Sequence, residues 1–331
     1  MVSDRRPVRI GIIGAATIAA DAMVRPVSRR SDAEIVAVAA RRPGAAESFA
    51  VEHGIETAVE HYDAVIEDDR VDLVYIALAA SDHARWAIAA LDVGKHVLVE
   101  KPAATSATDA ARMVAAAGPG RLVEAFHYRH HPLFAEVLAL VRSGRLGSLL
   151  SMTSEIRDTR PFDPRSILHD PAAGGGVLLH AGCYAVHWMR TLAGSEPRVL
   201  DARARRNPLG GDETIETRLL FPGDVEGRLY ASFGPEERQG NGLLIEGSLG
   251  TLRVDNLIAP HLGHSVTLAL RGEPTRTFTV AGRTSYDHQL GALLDSLAAG
   301  SPAATDGADI VGNASAIDSI ADAAGRGAET T

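Results

Sequence analysis

The stretch VRIGIIGAATIAAD, residues 8–21, decides the fold of this chain. It runs from apolar, mostly β-branched residues through a glycine turn into a segment of helical composition, which is typical of the opening of a dinucleotide-binding βαβ unit. Such a unit needs small residues at three positions, here Gly14, Ala16 and Ala19. An ordinary strand-to-helix turn in an alanine-rich chain is the alternative. The residues predicted to face a pyrophosphate are Gly14, Ala16, Thr17 and Ile18.

The 125 residues that contain this turn alternate short aliphatic runs with longer alanine-rich stretches, a pattern that indicates βαβ units. Helices are predicted between the strands, for example at 83–93 and 105–117. Residues 1–125 are therefore predicted to form an α/β domain with a doubly wound parallel sheet of the Rossmann type. The predicted strands are 8–13, 35–39, 73–78, 96–99 and 122–126.

The pattern changes after Pro132. Strand-like runs follow one another from 198 to 282 without long helices between them, which favours an antiparallel or mixed sheet. The predicted runs are 198–205, 214–221, 225–233, 242–246 and 265–280. Residues 126–331 are therefore predicted to form an α+β domain with an open-faced, largely antiparallel mixed sheet. The other elements predicted here are helices at 132–143, 177–193, 285–298 and 307–325, and a strand near 149–157.

Composition excludes several classes of protein. The chain has 331 residues, a net charge of −9 and no run rich in lysine and arginine, so a nucleic-acid partner is not expected. The single cysteine, Cys183, cannot form an internal disulfide, and no Cys/His spacing suits zinc, so no metal is expected either. No apolar run has the length of a signal peptide or a membrane span, which leads us to expect a cytoplasmic protein.

Charge is unevenly distributed along the chain. Residues 1–44 hold eight arginines and four acids, a net +4, which leaves −13 for the remainder. The predicted second strand ends in Arg41 and Arg42, where an acid would bind a ribose 2′-hydroxyl and an arginine would bind a 2′-phosphate. The pattern predicts NADP as the cofactor, with NAD possible. Two solvated loop arginines are the alternative.

The predicted strand HVLVEKPAA, residues 96–104, places Glu100, Lys101 and Pro102 at its carboxyl end. In open parallel sheets this edge binds ligands. A cation between an apolar strand and a proline turn would lie close to the position of the nicotinamide, although a strand-end lysine is commonly only a surface charge.

At this point the sequence resembles the glucose-fructose oxidoreductase, inositol dehydrogenase and rhizopine-catabolism (Gfo/Idh/MocA) family, in particular its dihydrodiol and xylose dehydrogenase branch. The resemblance implies a Rossmann domain followed by an open-faced sheet domain for substrate binding and subunit contact, in a homodimer or homotetramer. The segments that carry it are YIALAASDHARWAIAALDVGKHVLVEKP (75–102), EAFHYRHHP (124–132), GGGVLLHAGCYAVH (174–187), EGSLGTLRV (246–254) and SYDHQLGALLDSLAAG (285–300), besides the N-terminal turn.

The resemblance also implies roles for single residues. Lys101 matches a lysine that contacts the nicotinamide ribose and the reacting oxygen, Arg41 stands where this branch holds the 2′-phosphate, and His83 matches a histidine that helps to seat the cofactor. Leu78 and Glu100 are expected at the same edge. The family's usual Pro-Asn after the fourth strand is Ala79-Ala80 here, which puts the contacts of that loop in doubt.

On the predicted helix 177–193, spacings of four and seven place His180, Tyr184 and His187 on or near one face. A nearby ammonium favours a phenolate, so Lys101 with Tyr184 is a plausible acid/base pair for hydride transfer. The family has aspartate at position 180, and histidine removes that anion. His180 then acts as general acid/base, or orients a substrate hydroxyl while Tyr184 moves the proton, or marks an altered activity; the sequence leaves all three open.

Further candidates surround that helix. Tyr128, Arg129 and His131 follow the predicted sixth strand and are expected to face substrate together with His187. Each has a structural alternative: Arg129 could satisfy loop carbonyls, and His187 next to Trp188 could simply pack in the core.

Three functions remain open. The first is an NADP-preferring oxidoreductase that transfers hydride between nicotinamide and the carbinol or carbonyl carbon of a sugar, polyol or cyclic diol. The second is an NADPH-dependent ketoreductase of a nucleotide-linked deoxysugar, for which Arg203, Arg205 and Arg206 are candidate diphosphate ligands. They could equally form the outer face of an alternating strand. The third is an NADP(H)-binding sensor without catalysis, suggested by the missing aspartate.

Overall fold

The computed structural model describes residues 6–118 and 120–326, which fold as two compact units. The first unit contains the chain up to Ala104, Thr108–Phe126 and Tyr286–Val311. The second contains Thr105–Ala107, His127–Ser285 and the chain from Gly312. The chain thus returns to the first unit near its C-terminus, whereas the sequence predicts a single boundary after residue 125, which stays a prediction.

A six-stranded parallel sheet in the order β3-β2-β1-β4-β5-β6 forms the centre of the first unit. This is the strand order of dinucleotide-binding Rossmann folds, and it confirms the predicted fold class. The short edge strand β3 and the helices beside it are additions to the predicted elements. The strands are β1 (Val8–Ile13), β2 (Ala33–Ala39), β3 (Thr57–Val59), β4 (Leu73–Ile76), β5 (His96–Val99) and β6 (Leu122–Glu124).

Helices complete the first unit because a parallel sheet is apolar on both faces. The first helical segment has a π turn at Ala20–Val24 between two short α-helical pieces. Near the C-terminus, Leu290, Leu293 and Leu294 lie on one helix face and join the core around β1 and β4. The helices are α1 (Thr17–Ala19), α2 (Arg25–Val27), α3 (Ala45–His53), α4 (Tyr62–Ile66), α5 (Ala80–Asp92), α6 (Ala107–Ala117) and α9 (Ser285–Ala299).

The second unit is built on an eight-stranded sheet in the order β14-β13-β12-β11-β7-β10-β9-β8. Only the β7–β10 pair is parallel, so the sheet is mixed and largely antiparallel, as predicted. The predicted single run 265–280 is wrong: it divides into two strands joined by a turn. The strands are β7 (Leu149–Arg157), β8 (Arg198–Arg206), β9 (Asp212–Phe221), β10 (Val225–Ser232), β11 (Gly240–Gly247), β12 (Gly250–Asp255), β13 (Ser265–Leu270) and β14 (Arg276–Phe278).

Alternation along the central strands gives this sheet one apolar and one polar face. In β10, Val225 and Leu229 are buried while Arg228 between them is exposed. Helical segments cover the apolar face, and the segment predicted at 177–193 begins with a π turn, Leu178–Gly182, before it becomes α-helical. The helices of this unit are α7 (Pro132–Arg142), α8 (Cys183–Ala193) and α10 (Ala308–Arg326). No helix in the described part of the chain is long and apolar enough to cross a membrane.

The turn after β1 brings two backbone segments unusually close. Gly14 has φ +104°, and its N–H donates to the carbonyl of Ala39 at 2.8 Å. A Cβ at this position would lie 2.2 Å from the carbonyl oxygen of Ala77, just beyond β4. Glycine is therefore required both for the backbone conformation and for the space.

This double requirement predicts unequal costs for two glycine substitutions. Gly94 also has positive φ (+84°), but a Cβ there meets nothing within 4 Å, so Gly94→Ala pays only the conformational cost of about 1–2 kcal/mol. Gly14→Ala adds the overlap with Ala77 and should cost about 3 kcal/mol or more in free energy of unfolding. Denaturant unfolding followed by circular dichroism measures both, and equal losses would contradict the steric argument.

Candidate functional site

The carboxyl edge of the parallel sheet collects the residues predicted to bind the cofactor. The chain reverses its winding between β1 and β4, and α1 begins at Thr17, directly after the Gly14 turn. The N-terminus of a helix attracts anions because its first backbone N–H groups have no partner within the helix. The Gly14–Ile18 turn thus has the shape and polarity that a pyrophosphate requires.

A groove of about 630 Å³ lies in the first unit beside this turn. Ala16 and Thr17 line one side, and Arg42 and Gly44 after β2 line the other. Arg41, the residue favoured by the sequence, does not line it: its guanidinium donates to Asp82 at 2.9 Å and lies 5.4 Å from the ring centre of Tyr62. Arg25 also lines the groove but pairs with Asp21, so Arg42 is the lining arginine that could bind a phosphate of a dinucleotide.

Three side chains fix the backbone around Lys101. Glu100 accepts a hydrogen bond from the hydroxyl of Tyr75 at 2.7 Å, and its second oxygen lies 3.3 Å from the backbone nitrogen of Lys101. Nδ1 of His83 lies 2.8 Å from the carbonyl oxygen of Pro102. Glu124, which the sequence analysis did not single out, accepts the N–H of Ala103 at 2.8 Å. The Lys101 backbone is therefore held rigidly, while its side chain is half-buried.

Burial dominates the electrostatics of these groups. It raises the pKa of Glu100, against the opposing effect of the Lys101 ammonium. Burial also lowers the pKa of His83, whose Nε2 lies 3.1 Å from the carbonyl oxygen of Leu78. Glu100 and His83, both predicted to contact the cofactor, thus form hydrogen bonds with the protein around Lys101.

In the second unit, the three residues predicted to act from the 177–193 segment each pair with a different partner. His180 lies in the π turn and pairs with Asp158, which follows β7. Tyr184 and His187 lie in α8, where Tyr184 pairs with His127. The third side-chain pair is His187 with Tyr128.

Asp158 provides an anion beside His180. The Nε2 atom of His180 lies 3.2 Å from its carboxylate, and Arg160 donates to the same oxygen at 2.7 Å. Burial raises the pKa of Asp158, but the hydrogen bonds from His180 and Arg160 outweigh it and lower the pKa to about 2. Position 180 thus carries no carboxylate, but the Asp158 carboxylate, directly after β7, provides a negative charge beside it. Nothing in the local sequence distinguishes Asp158 from the other polar residues of its loop.

Tyr184 belongs to a buried chain of hydrogen bonds. Its hydroxyl lies 3.1 Å from Nε2 of His127, and Nδ1 of His127 lies 2.8 Å from the hydroxyl of Ser285. His127 and Ser285 are both buried, and neither was singled out from the sequence. His127 stands within the motif EAFHYRHHP, but its partners are 57 and 158 residues away.

The remaining predicted substrate ligands make contacts typical of structural residues. The Tyr128 hydroxyl lies 2.5 Å from Nδ1 of His187, and both side chains are fully buried. His131 accepts the N–H of Leu133 and caps α7. The Arg129 guanidinium lies 5.2 Å from the ring centre of Phe134. Their roles in substrate binding stay predictions, as does the pairing of Lys101 with Tyr184. Among the described residues, no group of three or more His, Cys, Asp or Glu side chains could hold a metal ion.

Known proteins of similar sequence or structure match most of this chain. D-xylose 1-dehydrogenase (NADP(+)) 2 from Haloferax volcanii is 36% identical over 231 residues, which are 69% of this chain and 70% of that protein. Human trans-1,2-dihydrobenzene-1,2-diol dehydrogenase is 32% identical over 228 residues, 68% of each chain. A solved 3-ketoreductase from Actinomadura kijaniata, in complex with NADP and TDP-benzene, superimposes with a TM-score of 0.87 at 28% identity, covering 96% of this chain and 98% of its own.

Two family profiles match two successive parts of the chain. The profile described as oxidoreductase family, NAD-binding Rossmann fold, matches residues 8–122, and the GFO/IDH/MocA C-terminal domain matches residues 134–253. Together with the strand order of the first unit, these matches confirm the resemblance that the sequence motifs carry. The chain therefore belongs to the Gfo/Idh/MocA family of NAD(P)-dependent oxidoreductases.

Proposed function

We propose that this oxidoreductase prefers NADP and transfers hydride between nicotinamide and the carbinol or carbonyl carbon of a sugar, polyol or cyclic diol. The observation that carries the proposal is the fixed position of Lys101 at the carboxyl end of β5, held by Glu100, His83 and Glu124. A rigid backbone limits where the ammonium can reach, as polarisation of a reacting oxygen requires. The names of two relatives, a xylose dehydrogenase and a dihydrodiol dehydrogenase, agree with the proposed classes of sugar and cyclic diol.

Each candidate residue of the chain has a separate role in this proposal. NADP, when bound, supplies or accepts the hydride. Lys101 polarises the substrate oxygen, and Tyr184 gives or takes the hydroxyl proton. His180, paired with Asp158, orients a neighbouring substrate hydroxyl, which is the second of the three roles left open by the sequence. Tyr128, Arg129, His131 and His187 support the substrate side through packing.

A second candidate is the ketoreductase of a nucleotide-linked deoxysugar. It is favoured by a dTDP-3,4-didehydro-2,6-dideoxy-alpha-D-glucose 3-reductase from Actinomadura kijaniata, 29% identical over 327 residues and 96% of both chains. Against it, the arginines considered for the diphosphate are exposed on the edge strand β8, where Arg205 pairs with Glu213 and Arg206 donates to the carbonyl of Gly210.

One assay separates these functions. The protein is incubated with NADP⁺ and a panel of free aldoses, polyols and cyclic diols, and separately with NADPH and keto nucleotide sugars, while cofactor absorbance is followed at several pH values. Turnover in the first set supports the leading proposal, and turnover confined to the second supports the ketoreductase. Tight NADPH binding with no turnover in either set would establish the non-catalytic sensor instead.

We also propose that the protein is cytoplasmic and forms a homodimer or homotetramer through the outward face of the second unit's sheet. That face is polar, with Glu216 and Arg218 on β9 and Arg228 on β10. The single cysteine of the protein, Cys183, is buried and forms no disulfide, which suits a reducing compartment. Sedimentation equilibrium gives the number of chains in solution.

Lys101→Ala should lower kcat by about 10²–10³-fold or more, because a preorganised cation at the reacting oxygen is lost. Cofactor affinity and the unfolding midpoint should change little. Lys95→Ala is the matched control, since Lys95 is the chain's other lysine and its ammonium binds the carbonyls of Asp68 and Val71. Retention of most activity in Lys101→Ala would remove the mechanism.

Arg42→Ala should weaken NADPH binding by about 10–100-fold and leave NADH binding nearly unchanged, because a charge-assisted contact with the 2′-phosphate is lost. Isothermal titration calorimetry with both cofactors measures this. Arg41→Ala provides the comparison, and its smaller expected loss reflects the existing bond from Arg41 to Asp82. If Arg41→Ala shows the larger loss, the sequence-based choice of Arg41 is right and Arg42 is secondary.

Asp158→Asn should destabilise the protein by about 2 kcal/mol at neutral pH, because the lowered pKa of Asp158 reflects interactions that need the carboxylate. The folded-state pKa is below the ordinary value of 3.8, so this stability is complete above about pH 4 and is lost as pH falls towards about 2. The free-energy difference between wild type and variant should shrink over that window in denaturant titrations. A difference independent of pH would indicate lost packing instead of lost charge.

A further inference from the structure

Two tyrosine–histidine pairs lie next to each other in the second unit, and both are buried. The rings of Tyr128 and Tyr184 are 5.8 Å apart, and each hydroxyl contacts a histidine. Tyr128 and His187 are 0% exposed, whereas Tyr184 retains 6%. The Tyr184 pair also continues to Ser285, which is itself 0% exposed. The imidazole of His127 has one hydroxyl at each ring nitrogen, so a neutral ring donates a hydrogen bond from one nitrogen and accepts one at the other.

We propose that His127 is a positioning residue for proton transfer at Tyr184, with its neutral ring held as the Nε2–H tautomer by the hydroxyl of Ser285. Ser285 then donates to Nδ1, and Nε2–H donates to the phenolic oxygen. In the opposite tautomer, Nε2 of His127 would accept the hydroxyl hydrogen of Tyr184. In the proposed arrangement His127 does not take that hydrogen, and Tyr184 donates it to the substrate oxygen when substrate binds. The inference rests on the proposed role of Tyr184.

The same hydrogen bond serves both states of Tyr184. A hydrogen bond to the charged form of a group favours that form, so Nε2–H stabilises the phenolate more than the phenol. In alcohol oxidation the carbinol C–H bond breaks and its electron pair leaves with the hydride to the oxidised cofactor. The O–H bond breaks and its proton passes to the Tyr184 oxygen, so a phenol replaces the phenolate. Reduction reverses both transfers, and His127 keeps its proton throughout.

The geometry also explains why histidine suits this position. A donor that must stay fixed while its acceptor changes charge needs a second contact, and Ser285 provides one on the far side of the ring. The edge of His127 faces the Tyr184 ring at 5.8 Å between ring centres and 70° between planes, which limits rotation of the imidazole.

Kinetics of two variants at position 127 test the role in turnover. His127→Met removes the donor while keeping apolar bulk, and should lower kcat by about 10–100-fold with KM and NADPH affinity nearly unchanged. His127→Gln keeps an N–H donor on a side chain of similar reach and should recover part of the loss. His130→Gln, on the same short helical turn, is the matched control and should retain wild-type kcat. A kcat in His127→Met within about twofold of wild type would overturn the proposal.

Nitrogen-15 NMR of the full chain without cofactor gives a readout that does not depend on turnover. His127→Met identifies the His127 ring signals among the thirteen histidines. The proposal requires a neutral ring with hydrogen on Nε2, and a shift towards the other tautomer in Ser285→Ala. Hydrogen on Nδ1 in the wild type would refute the positioning role even if the enzyme is active. Conversely, the expected tautomer together with silence across the substrate panel would count against the proposed function alone.

Discussion

The close approach of Gly14 to the carbonyl of Ala77 is the constraint on which the first unit depends. It permits the carboxyl ends of β1 and β4 to meet at the point where the sheet reverses its winding. From there β2 leads to Arg42 on one side, and β5 leads to Lys101 on the other. The two candidate ends of the cofactor site thus lie on opposite sides of a junction that only glycine can form.

The second unit depends on a different rule, that buried polar groups must find partners. The 177–193 segment carries histidine and tyrosine into an apolar interior, and each finds its partner on another element. Leaving any of these groups unsatisfied would cost about 1–3 kcal/mol, so the pairs also specify how α8 packs. The same contacts that satisfy burial position the groups proposed for proton transfer.

Local patterns in the sequence predicted most strands and helices, because apolar alternation and helix formers are properties of neighbouring residues. The edge strand β3 was missed because its three residues, none of them buried, include no apolar run, whereas the equally short β6 is fully buried. The π turn at Leu178–Gly182 was not predicted, because no local pattern in the sequence distinguishes it from a regular α-helix. Asp158, His127 and Ser285 could not be found as partners, since their pairing depends on contacts between residues far apart in the sequence.

The charge of the N-terminal segment has a different meaning once the contacts are known. Within residues 6–44, six of the seven arginines form ion pairs with aspartates, so the local excess of positive charge is largely neutralised within the first unit. These pairs are Arg6 and Arg9 with Asp72, Arg25 with Asp21, Arg29 with Asp287, Arg30 with Asp32, and Arg41 with Asp82. In the described part of the chain Arg42 has no ion pair, and it lines the groove. These contacts support the proposal that Arg42 and the backbone of the Gly14 turn bind the cofactor phosphates, because the neighbouring arginines already form ion pairs within the first unit.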